Sequence, residues 1–352
     1  MSKIVSAAEA VALVHEGDTL VCSGFGVVGV PDELLLALRQ RFESSGTPRD
    51  LTLLFGGGPG DGQERGLNRL ALDGLVRRAI GGHWGLVPKL GAMAIDGRIE
   101  AWNLPLGVIS HLYRDIAAGL PGNLTPVGLG TFVDPRLQGG KVNARTTDDL
   151  VELTQLAGRE LLLYRVPKPQ VAFIRASVSD PAGNLTLDQE ALTQDALAIA
   201  MAVKNAGGVV IAQVAHLADT GALHTRHVKV PGILVDCVVV AQPENHRQTY
   251  GTAYSPALSG ELKVPLDALP AMDLDERKVI ARRAALELMP NAVVNLGIGM
   301  PEGVAAVANE ERLLPYMTLT AEPGLIGGVP GSGLDFGSAT NIQTNAIVGL
   351  QL

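Results

Sequence analysis

Residues 18–38 have the sequence DTLVCSGFGVVGVPDELLLAL, in which an apolar run leads into a glycine-rich turn, a proline and an amphipathic run. The apolar and β-branched residues Thr19–Cys22 predict a strand. The pattern of Asp32–Phe42, which follows Pro31 and begins with two acidic residues, predicts a helix. A strand that passes through a tight turn into a helix is typical of α/β proteins, so this stretch predicts that fold class.

The same order of features returns in residues 291–308, with the sequence NAVVNLGIGMPEGVAAVA. A second predicted strand follows each copy: Leu51–Phe55 leads into a glycine loop, and so does the sequence MTLTAEPG of residues 317–324. Repetition of one supersecondary unit indicates a duplicated domain. We therefore predict two related α/β domains with open, mainly parallel sheets, the second of them incomplete.

The chain between the two copies contains three apolar runs typical of strands buried on both faces of a parallel sheet. These runs are Val171–Ala176, Gly208–Val214 and Ile233–Val240. A helix is predicted over 192–206, between the first two runs. Periodicity is lost over 255–275, where three prolines occur, and a new helix is predicted from Glu276 to Met289. The predicted organisation is a first domain at 1–254, a linker at 255–275 and a partial second domain at 276–352.

Composition and charge limit the class of protein. Apolar residues make up 47% of the chain and charged residues 18%, which indicates a globular protein rather than a disordered one. The net charge of −8, without a run of basic residues, argues against nucleic acid and anionic membranes as partners. No apolar run reaches the roughly 18 residues of a membrane span, and the N-terminus lacks the apolar block of a signal peptide, so we expect a cytoplasmic protein.

Cysteine and histidine usage predicts no metal site. Cys22 and Cys237 lie in apolar runs, where a thiol behaves as a small apolar side chain. Two cysteines of this kind predict neither a disulfide framework nor a cysteine-based metal site. Four histidines occur in a polar segment with a spacing that fits no zinc motif: His216, His224, His227 and His246. His83, in a glycine-rich turn, is predicted as a structural histidine, with a place in the site as the alternative.

The glycine turns of the two copies allow two interpretations. Gly24, Gly26 and Gly29 give the spacing G-x-G-x-x-G, but no acidic residue follows at the distance that a dinucleotide-binding motif requires. The second turn, at Gly297 and Gly299, lacks the third glycine altogether. One interpretation is close packing of helix and sheet. The other is that backbone N–H groups at the helix start face a ligand and stabilise developing negative charge.

Glu322 directly follows the second strand of the later copy, and Pro323, Gly324 and several further glycines come after it. A glutamate at a strand end is usually a solvated turn residue. However, open parallel sheets bind ligands beyond the carboxyl ends of their strands, and the corresponding loop of the first copy has Gly58 in this place. Glu322 is therefore the candidate catalytic residue.

Residues 268–305 and the sequence TLTAEPGLIGGVPGSGLDFG at 318–337 resemble the start of the second domain of family I coenzyme A transferases. In that family the nucleophilic glutamate lies in a Glu-x-Gly motif. Segments that begin at Gly81, Asn103 and Val127 resemble the single-chain acetate or propionate CoA-transferase branch. The resemblance covers nearly all of the chain.

The resemblance implies an enzyme that transfers CoA between short-chain carboxylic acids by a ping-pong mechanism. Its substrates are an acyl-CoA and a carboxylic acid, and CoA is a substrate rather than a cofactor, so no cofactor and no metal are expected. Glu322 is implied as the nucleophile, through a glutamyl-CoA thioester. A homo-oligomer is also implied.

Further residues are candidates for the site around Glu322. Backbone N–H groups of Gly297, Gly299 and Gly26 are the candidate oxyanion donors, and Gly324, Gly130 and Leu106 are candidate site-lining residues.

Two departures from the family pattern leave alternatives open. The glutamine of the family's Pro-Gln-Gly motif is replaced by Leu106, an alkyl side chain that cannot donate a hydrogen bond. Loss of one oxyanion donor costs about 10²–10³ in rate. The family pattern also continues beyond Leu352, so the chain is predicted to be C-terminally truncated, with a missing C-terminal half as an alternative partner. The alternative functions are an acyl-CoA hydrolase and an inactive or partner-dependent remnant.

A loop with Asp134, Arg136 and Lys141 also resembles the family. Its cations are candidates for binding an acid or a CoA phosphate, and a salt-bridged loop is an equal alternative.

Overall fold

The computed structural model describes residues 3–265 and 268–348, without the side chains of 343–345. The described chain forms two compact units, each built from three segments. The first consists of Met1–Gly26, Val30–Leu187 and Asp195–His246, and the second of Val27–Gly29, Asp188–Gln194 and Arg247–Leu352. Both combine helices with a sheet, which confirms the α/β fold class.

The first unit contains these helices: α1 (Ala7–Val11), α2 (Asp32–Ser45), α3 (Pro88–Ile95), α4 (Leu106–Ala117) and α5 (Ala196–Asn205). Its strands are β1 (Thr19–Cys22), β2 (Leu51–Phe55), β3 (Val76–Gly81), β4 (Glu100–Asn103), β5 (Asn123–Thr125), β6 (Val151–Leu156), β7 (Arg159–Tyr164), β8 (Val171–Ser179), β9 (Leu185–Thr186), β10 (Val209–Leu217), β11 (Val228–Val230) and β12 (Cys237–Val240).

The main sheet of this unit is largely parallel. Strands β12, β10, β8, β1, β2, β3 and β4 pair in parallel in that order, and β9 pairs antiparallel with β8 and β11. Every residue of β1 and β2 is buried, as expected for central strands of a parallel sheet covered on both faces. A separate antiparallel sheet, β5-β7-β6, was not predicted.

Several predicted elements differ from the structure in their bounds; the helix predicted from Glu276 to Met289, for example, ends at Ala285, and two of the differences have a clear local cause. Within the apolar run 233–240 only Cys237–Val240 is a strand, because Gly232–Leu234 forms a 3₁₀ turn after Pro231. The helix predicted over 192–206 begins later, at Ala196, since Gln194 has a positive φ of 50° that interrupts helical geometry. Apolar composition predicts burial in both runs but does not reveal these local breaks.

The second unit contains helices α6 (Glu276–Ala285) and α7 (Glu302–Glu310) and strands β13 (Val293–Asn295), β14 (Thr318–Ala321), β15 (Leu325–Pro330) and β16 (Ala339–Ile347). Its sheet has the order β13-β14-β15-β16, in which the first pair is parallel and the other two are antiparallel. Helix α6 packs on α7 through Ala281, Ala285, Val304 and Val307. This small apolar core positions α7 beside the sheet.

The strand registers confirm the sequence repeat and correct one correspondence. Leu20 pairs with Leu53 in the first copy, and Val293 pairs with Thr318 in the second. When these pairs are superposed, Glu322 corresponds to Gly57, one residue earlier than the predicted Gly58. Sequence alignment misplaces this position because the two loops differ in length.

Candidate active site

Glu322 lies in the turn that connects β14 to β15, and its side chain is exposed. Gly324 closes the turn: its N–H donates to the carbonyl of Ala321 at 3.1 Å, and its φ of 96° favours glycine. Among the described residues, the Glu322 carboxylate has neither an ion pair nor a hydrogen-bond donor. The second unit thus holds an accessible carboxylate on a short, defined turn.

The turn with Gly297 and Gly299 lies at the same edge of the sheet as Glu322. Strands β13 and β14 are parallel, and Asn295 pairs with Thr320 directly before the two turns. Parallel strands present their carboxyl ends together, which is where open α/β sheets bind ligands. The site therefore combines a carboxylate from one strand end with a glycine turn from its neighbour.

The second glycine turn is open. A Cβ atom added at Gly297 or at Gly299 would meet no atom of the described chain within 4 Å. Within the part of the chain that the structure describes, neither N–H group has a hydrogen-bond acceptor. Gly299 has a φ of 89°, a conformation that favours glycine. Both N–H groups are thus unoccupied within the described residues, and their role as oxyanion donors stays a prediction.

Helix α7 adds a favourable field to this turn. The helix begins at Glu302, directly after Pro301, and no side chain caps its first N–H groups. A helix N-terminus carries a partial positive charge that favours a nearby anion. The start of α7 therefore favours negative charge at this turn.

Side chains that the sequence analysis missed support the two turns. Arg277 of α6 donates from Nη2 to the carbonyl of Gly299 at 3.2 Å and to Glu302 Oε1 at 3.4 Å. Asn295 donates from Nδ2 to Thr320 Oγ1 at 3.2 Å, between the two strand ends. Asn295 carries a sequence signal, since it interrupts an apolar run directly before the glycines. Arg277 carries none, because nothing local to α6 indicates a contact with the turn.

The first glycine turn is closed by its neighbours within the first unit. Gly26 is buried, and its N–H donates to the carbonyl of Gly57 at 2.9 Å. A Cβ atom at Gly24 would lie 2.7 Å from Cβ of Pro59. An oxyanion role for Gly26 requires the bond to Gly57 to open. The structure therefore supports the packing interpretation for this copy.

The start of α2 is closed as well. Gln213 of β10, which is fully buried, accepts hydrogen bonds on Oε1 from the N–H groups of Glu33 at 2.9 Å and Leu34 at 3.4 Å. Asp32 forms a two-bond ion pair with Arg69. The donors that a helix start offers to a ligand are therefore used inside the protein.

Leu106 and Gly130 occupy separate places in the first unit. Leu106, half-buried at the start of α4, has its Cα atom 2.7 Å from the position of a Cβ on Gly82 and packs beside Gly56. Gly130 lies in an exposed loop, where its N–H donates to Asp134 Oδ2 at 2.9 Å. The structure does not bring these two residues together, and their site-lining roles stay predictions.

The loop with Asp134 is salt-bridged, which agrees with one of the two alternatives for it. Arg136 binds the buried Asp134 carboxylate through Nε at 3.0 Å and Nη2 at 2.7 Å. The guanidinium, followed by the Gly130 N–H, holds the pKa of Asp134 well below its usual range. Lys141 pairs with Asp149 at 2.7 Å. Both cations are thus engaged within the loop.

Residues 3–265 and 268–348 contain no group of three or more His, Cys, Asp or Glu side chains placed to hold a metal ion. None of their helices is long and apolar enough to cross a membrane. Burial raises the pKa of the Cys22 thiol, consistent with its predicted behaviour as an apolar side chain.

Comparison with known proteins gives relatives over almost the whole chain. The caffeate CoA-transferase of Acetobacterium woodii is 44% identical over 346 residues, which are 98% of this chain and 66% of the relative. Acetate CoA-transferase YdiF of Escherichia coli strain K12 is 39% identical over 347 residues, 98% of this chain and 65% of that one. The chain thus spans about two thirds of the length of these curated relatives. The prediction of a C-terminal truncation is not confirmed by these matches.

A solved structure and a family model agree with these relatives. The crystal structure of acyl-CoA transferase YdiF from E. coli O157:H7, a thioester complex with CoA, matches with a TM-score of 0.88 and 38% identity. The match covers 97% of this chain and 65% of that chain. The family described as Coenzyme A transferase matches residues 4–241. The chain therefore belongs to the coenzyme A transferase family.

Proposed function

We propose that the chain catalyses CoA transfer from an acyl-CoA to a carboxylic acid, with Glu322 as the nucleophile. The observation that carries this proposal is the exposed carboxylate of Glu322 at the end of β14, beside the open turn at Gly297 and Gly299. A carboxylate that attacks as a nucleophile has no proton to be removed, so this step needs no general base.

The first half-reaction conserves the energy of the thioester. A carboxylate oxygen of Glu322 attacks the thioester carbonyl of the acyl-CoA, the C–S bond breaks, and CoA leaves as a thiolate. The thiolate then attacks the glutamyl carbonyl of the resulting anhydride. The substrate acid leaves as a carboxylate, and a glutamyl-CoA thioester remains on Glu322. No proton is gained or lost in either step.

The second half-reaction is the reverse with another acid. Each step passes through a tetrahedral intermediate with a negatively charged oxygen, which requires hydrogen-bond donors nearby. The N–H groups of Gly297 and Gly299 and the start of α7 are the donors that the proposal assigns to this oxygen. CoA is a substrate in this scheme, so the proposal includes no resident cofactor.

The acid substrates are proposed as short-chain acids such as acetate and propionate. The relative at 39% identity is named for acetate, and the relative at 44% identity is named for caffeate, a much larger acid. Rates with acetate, propionate and caffeate as acceptors test this choice. A rate with caffeate far above the other two would reject the short-chain assignment while leaving the transfer chemistry in place.

The proposal also includes a cytoplasmic location, a homo-oligomer, and domain boundaries near residues 254 and 276.

The covalent intermediate provides the decisive test. The protein is incubated with acetyl-CoA, treated with borohydride, and digested for mass spectrometry. Borohydride reduces a glutamyl thioester to an alcohol, so we expect that mass change on the peptide with Glu322 and its absence when acetyl-CoA is omitted. An unmodified peptide from folded protein that transfers CoA would reject Glu322 as the nucleophile.

Two related functions are distinguished by simple assays. The exposure of Glu322 favours an acyl-CoA hydrolase as the second candidate, because water reaches the carbonyl of the anhydride. Release of acid from acyl-CoA without any acceptor acid identifies the hydrolase.

Exposed apolar side chains in the second unit favour a partner-dependent form of the transferase. Leu286 is 77% exposed and Val293 74% exposed in the described chain. Transfer that appears only after a C-terminal fragment of a relative is added identifies this form.

A further inference from the structure

The tip of the first glycine turn, Val27–Gly29, groups with the second unit rather than with the residues on either side of it. Val28 forms an antiparallel bridge with Thr249, and the N–H of Tyr250 donates to the carbonyl of Val27 at 3.0 Å. Gln194 donates from Nε2 to the carbonyl of Val28 at 2.8 Å. The tip is therefore held through its main chain by residues that are distant in sequence.

Thr249 contacts this tip with its main chain and a second segment with its side chain. It is fully buried. Its hydroxyl donates to Asp335 Oδ1 and accepts the N–H of Thr252 at 2.8 Å. A threonine hydroxyl has one hydrogen to donate, and here the acceptor is a carboxylate. The bond therefore joins the tip to Asp335 through a single side chain.

Asp335 lies in the loop between β15 and β16, which is itself tightly bonded. The N–H of Asp335 donates to the carbonyl of Ser332 at 3.0 Å, and Ser338 Oγ donates to the carbonyl of Asp335 at 2.7 Å. The N–H of Gly251 donates to the carbonyl of Leu334 at 3.0 Å. A Cβ at Gly251 would lie 2.8 Å from Asp335 Oδ1, so this position admits only glycine without a shift.

The loop is continuous with the turn that carries Glu322. Strand β15 begins at Leu325, which pairs with Ala321 on the other side of Glu322. Strand β15 (Leu325–Pro330) connects the Glu322 turn at its start to the Asp335 loop at its end, and its pairing with β16 shifts register between Ile326 and Gly328. A misplacement of about 1 Å at a reacting group costs about 10²-fold in rate.

We propose that Thr249 is a positioning residue for CoA transfer, whose hydroxyl fixes the β15–β16 loop, and with it the Glu322 turn, against the Val27–Gly29 tip. This inference rests on the proposed function of Glu322. Thr249 does not contact the reacting atoms; it acts through Asp335.

A matched pair of substitutions tests the hydroxyl itself. Thr249→Val keeps the shape of the side chain and removes the donor, whereas Thr249→Ser keeps the donor. In the full chain, we expect Thr249→Val to lower kcat by about 10- to 100-fold with KM for acetyl-CoA changed less than about twofold. Thr249→Ser is expected to stay within about threefold of the unsubstituted protein. Equal kcat values for the Val and Ser variants would overturn the proposal.

The acceptor side gives an independent measurement. Asp335→Asn keeps an oxygen acceptor and is expected to retain most of kcat, whereas Asp335→Ala is expected to lose as much as Thr249→Val. The double variant Thr249→Val with Asp335→Ala should be no slower than the slower single variant, because both remove one interaction. Additive losses would reject the coupling. The Asn and Ala pair decides the question if Thr249→Val does not fold.

Glu322→Gln, assayed in parallel, separates this inference from the proposed function. Full transfer by Glu322→Gln rejects the nucleophile and the positioning role together. An inactive Glu322→Gln combined with a fully active Thr249→Val rejects only the positioning role.

Discussion

The two glycine turns both connect a strand to a helix, but their structural environments are opposite. At the first turn, Pro59 lies against Gly24, and the N–H of Gly26 is bonded to Gly57. At the second, Gly297 and Gly299 face open space in the described structure. Glycine is required in the first turn because neighbours approach closely, and in the second it leaves room beside Glu322.

The loops beside the two turns also differ at one corresponding position. The registers align Glu322 with Gly57. A side chain at Gly57 would collide with Phe25, with Cβ only 2.8 Å from its Cδ2 atom. The first copy therefore has no space at Gly57 for a side chain such as the one that Glu322 has in the second copy.

The largest effect is expected from removing the proposed nucleophile beside the open turn. Glu322→Gln keeps the shape of the side chain and removes the nucleophile, so we expect transfer between acetyl-CoA and propionate to fall by about 10⁴-fold or more. Steady-state rates measure this loss. Glu287→Gln is the control, because Glu287 is an exposed glutamate paired with Arg283 at 2.6 Å, and its rate is expected to match the unsubstituted protein. Equal losses in both variants would contradict the assignment.

A pair of alanine substitutions tests the packing difference directly. Gly24→Ala places Cβ 2.7 Å from Pro59 at a φ of 124°, so we expect the free energy of unfolding to fall by about 4 kcal/mol. Gly297→Ala meets no described atom within 4 Å and is expected to change it by less than about 1 kcal/mol. Urea unfolding gives both values. Similar losses at the two positions would show that the second turn is also packed.

A substitution at Leu106 tests whether the first unit contributes a hydrogen-bond donor to catalysis. Leu106→Gln supplies the amide of the family motif at a half-buried position beside Gly56 and Gly82. If the reaction lacks this donor, we expect kcat to rise by about 10²–10³-fold, the typical effect of one oxyanion donor. The comparison is between kcat of the variant and of the unsubstituted protein at saturating acetyl-CoA. An unchanged kcat would indicate that the open turn supplies sufficient donors by itself.

A buried carboxyl in the first unit contrasts with the exposed Glu322. Asp195 accepts hydrogen bonds from Ser110 at 2.9 Å and Arg114 at 3.3 Å, yet burial raises its pKa to about 6. Between about pH 4 and pH 6 the folded protein holds a proton that the unfolded chain has released. Stability therefore falls as pH rises through this window, by about 3 kcal/mol from this group. Asp195→Asn removes the titration.

Urea unfolding at pH 4 and pH 7 measures this effect. The free energy of unfolding at pH 7 minus that at pH 4 is expected to be about 3 kcal/mol more negative in the unsubstituted protein than in Asp195→Asn. The same pH dependence in both proteins would contradict a raised pKa for Asp195.

Local sequence patterns were sufficient for the repeated units and for the place of the candidate nucleophile. The strands at 19–22 and 51–55 and the start of α2 at Asp32 agree with the structure, because apolar runs, proline and acidic residues act within a few neighbouring residues. The antiparallel sheet β5-β7-β6 was missed: β5 and β6 lack a continuous apolar run, and the short run Leu161–Tyr164 in β7 was not assigned to a strand.

The amino-acid sequence by itself determined that two strand–glycine–helix units occur and that only the second leads to a glutamate. Only the tertiary structure decided which turn is open, because the residues that close the first one are distant in sequence. Gln213 reaches the start of α2 from β10, and Gly57 bonds Gly26 from the neighbouring strand end. Hydrogen bonds and close contacts of this kind depend on the packed sheet, and no local pattern records them.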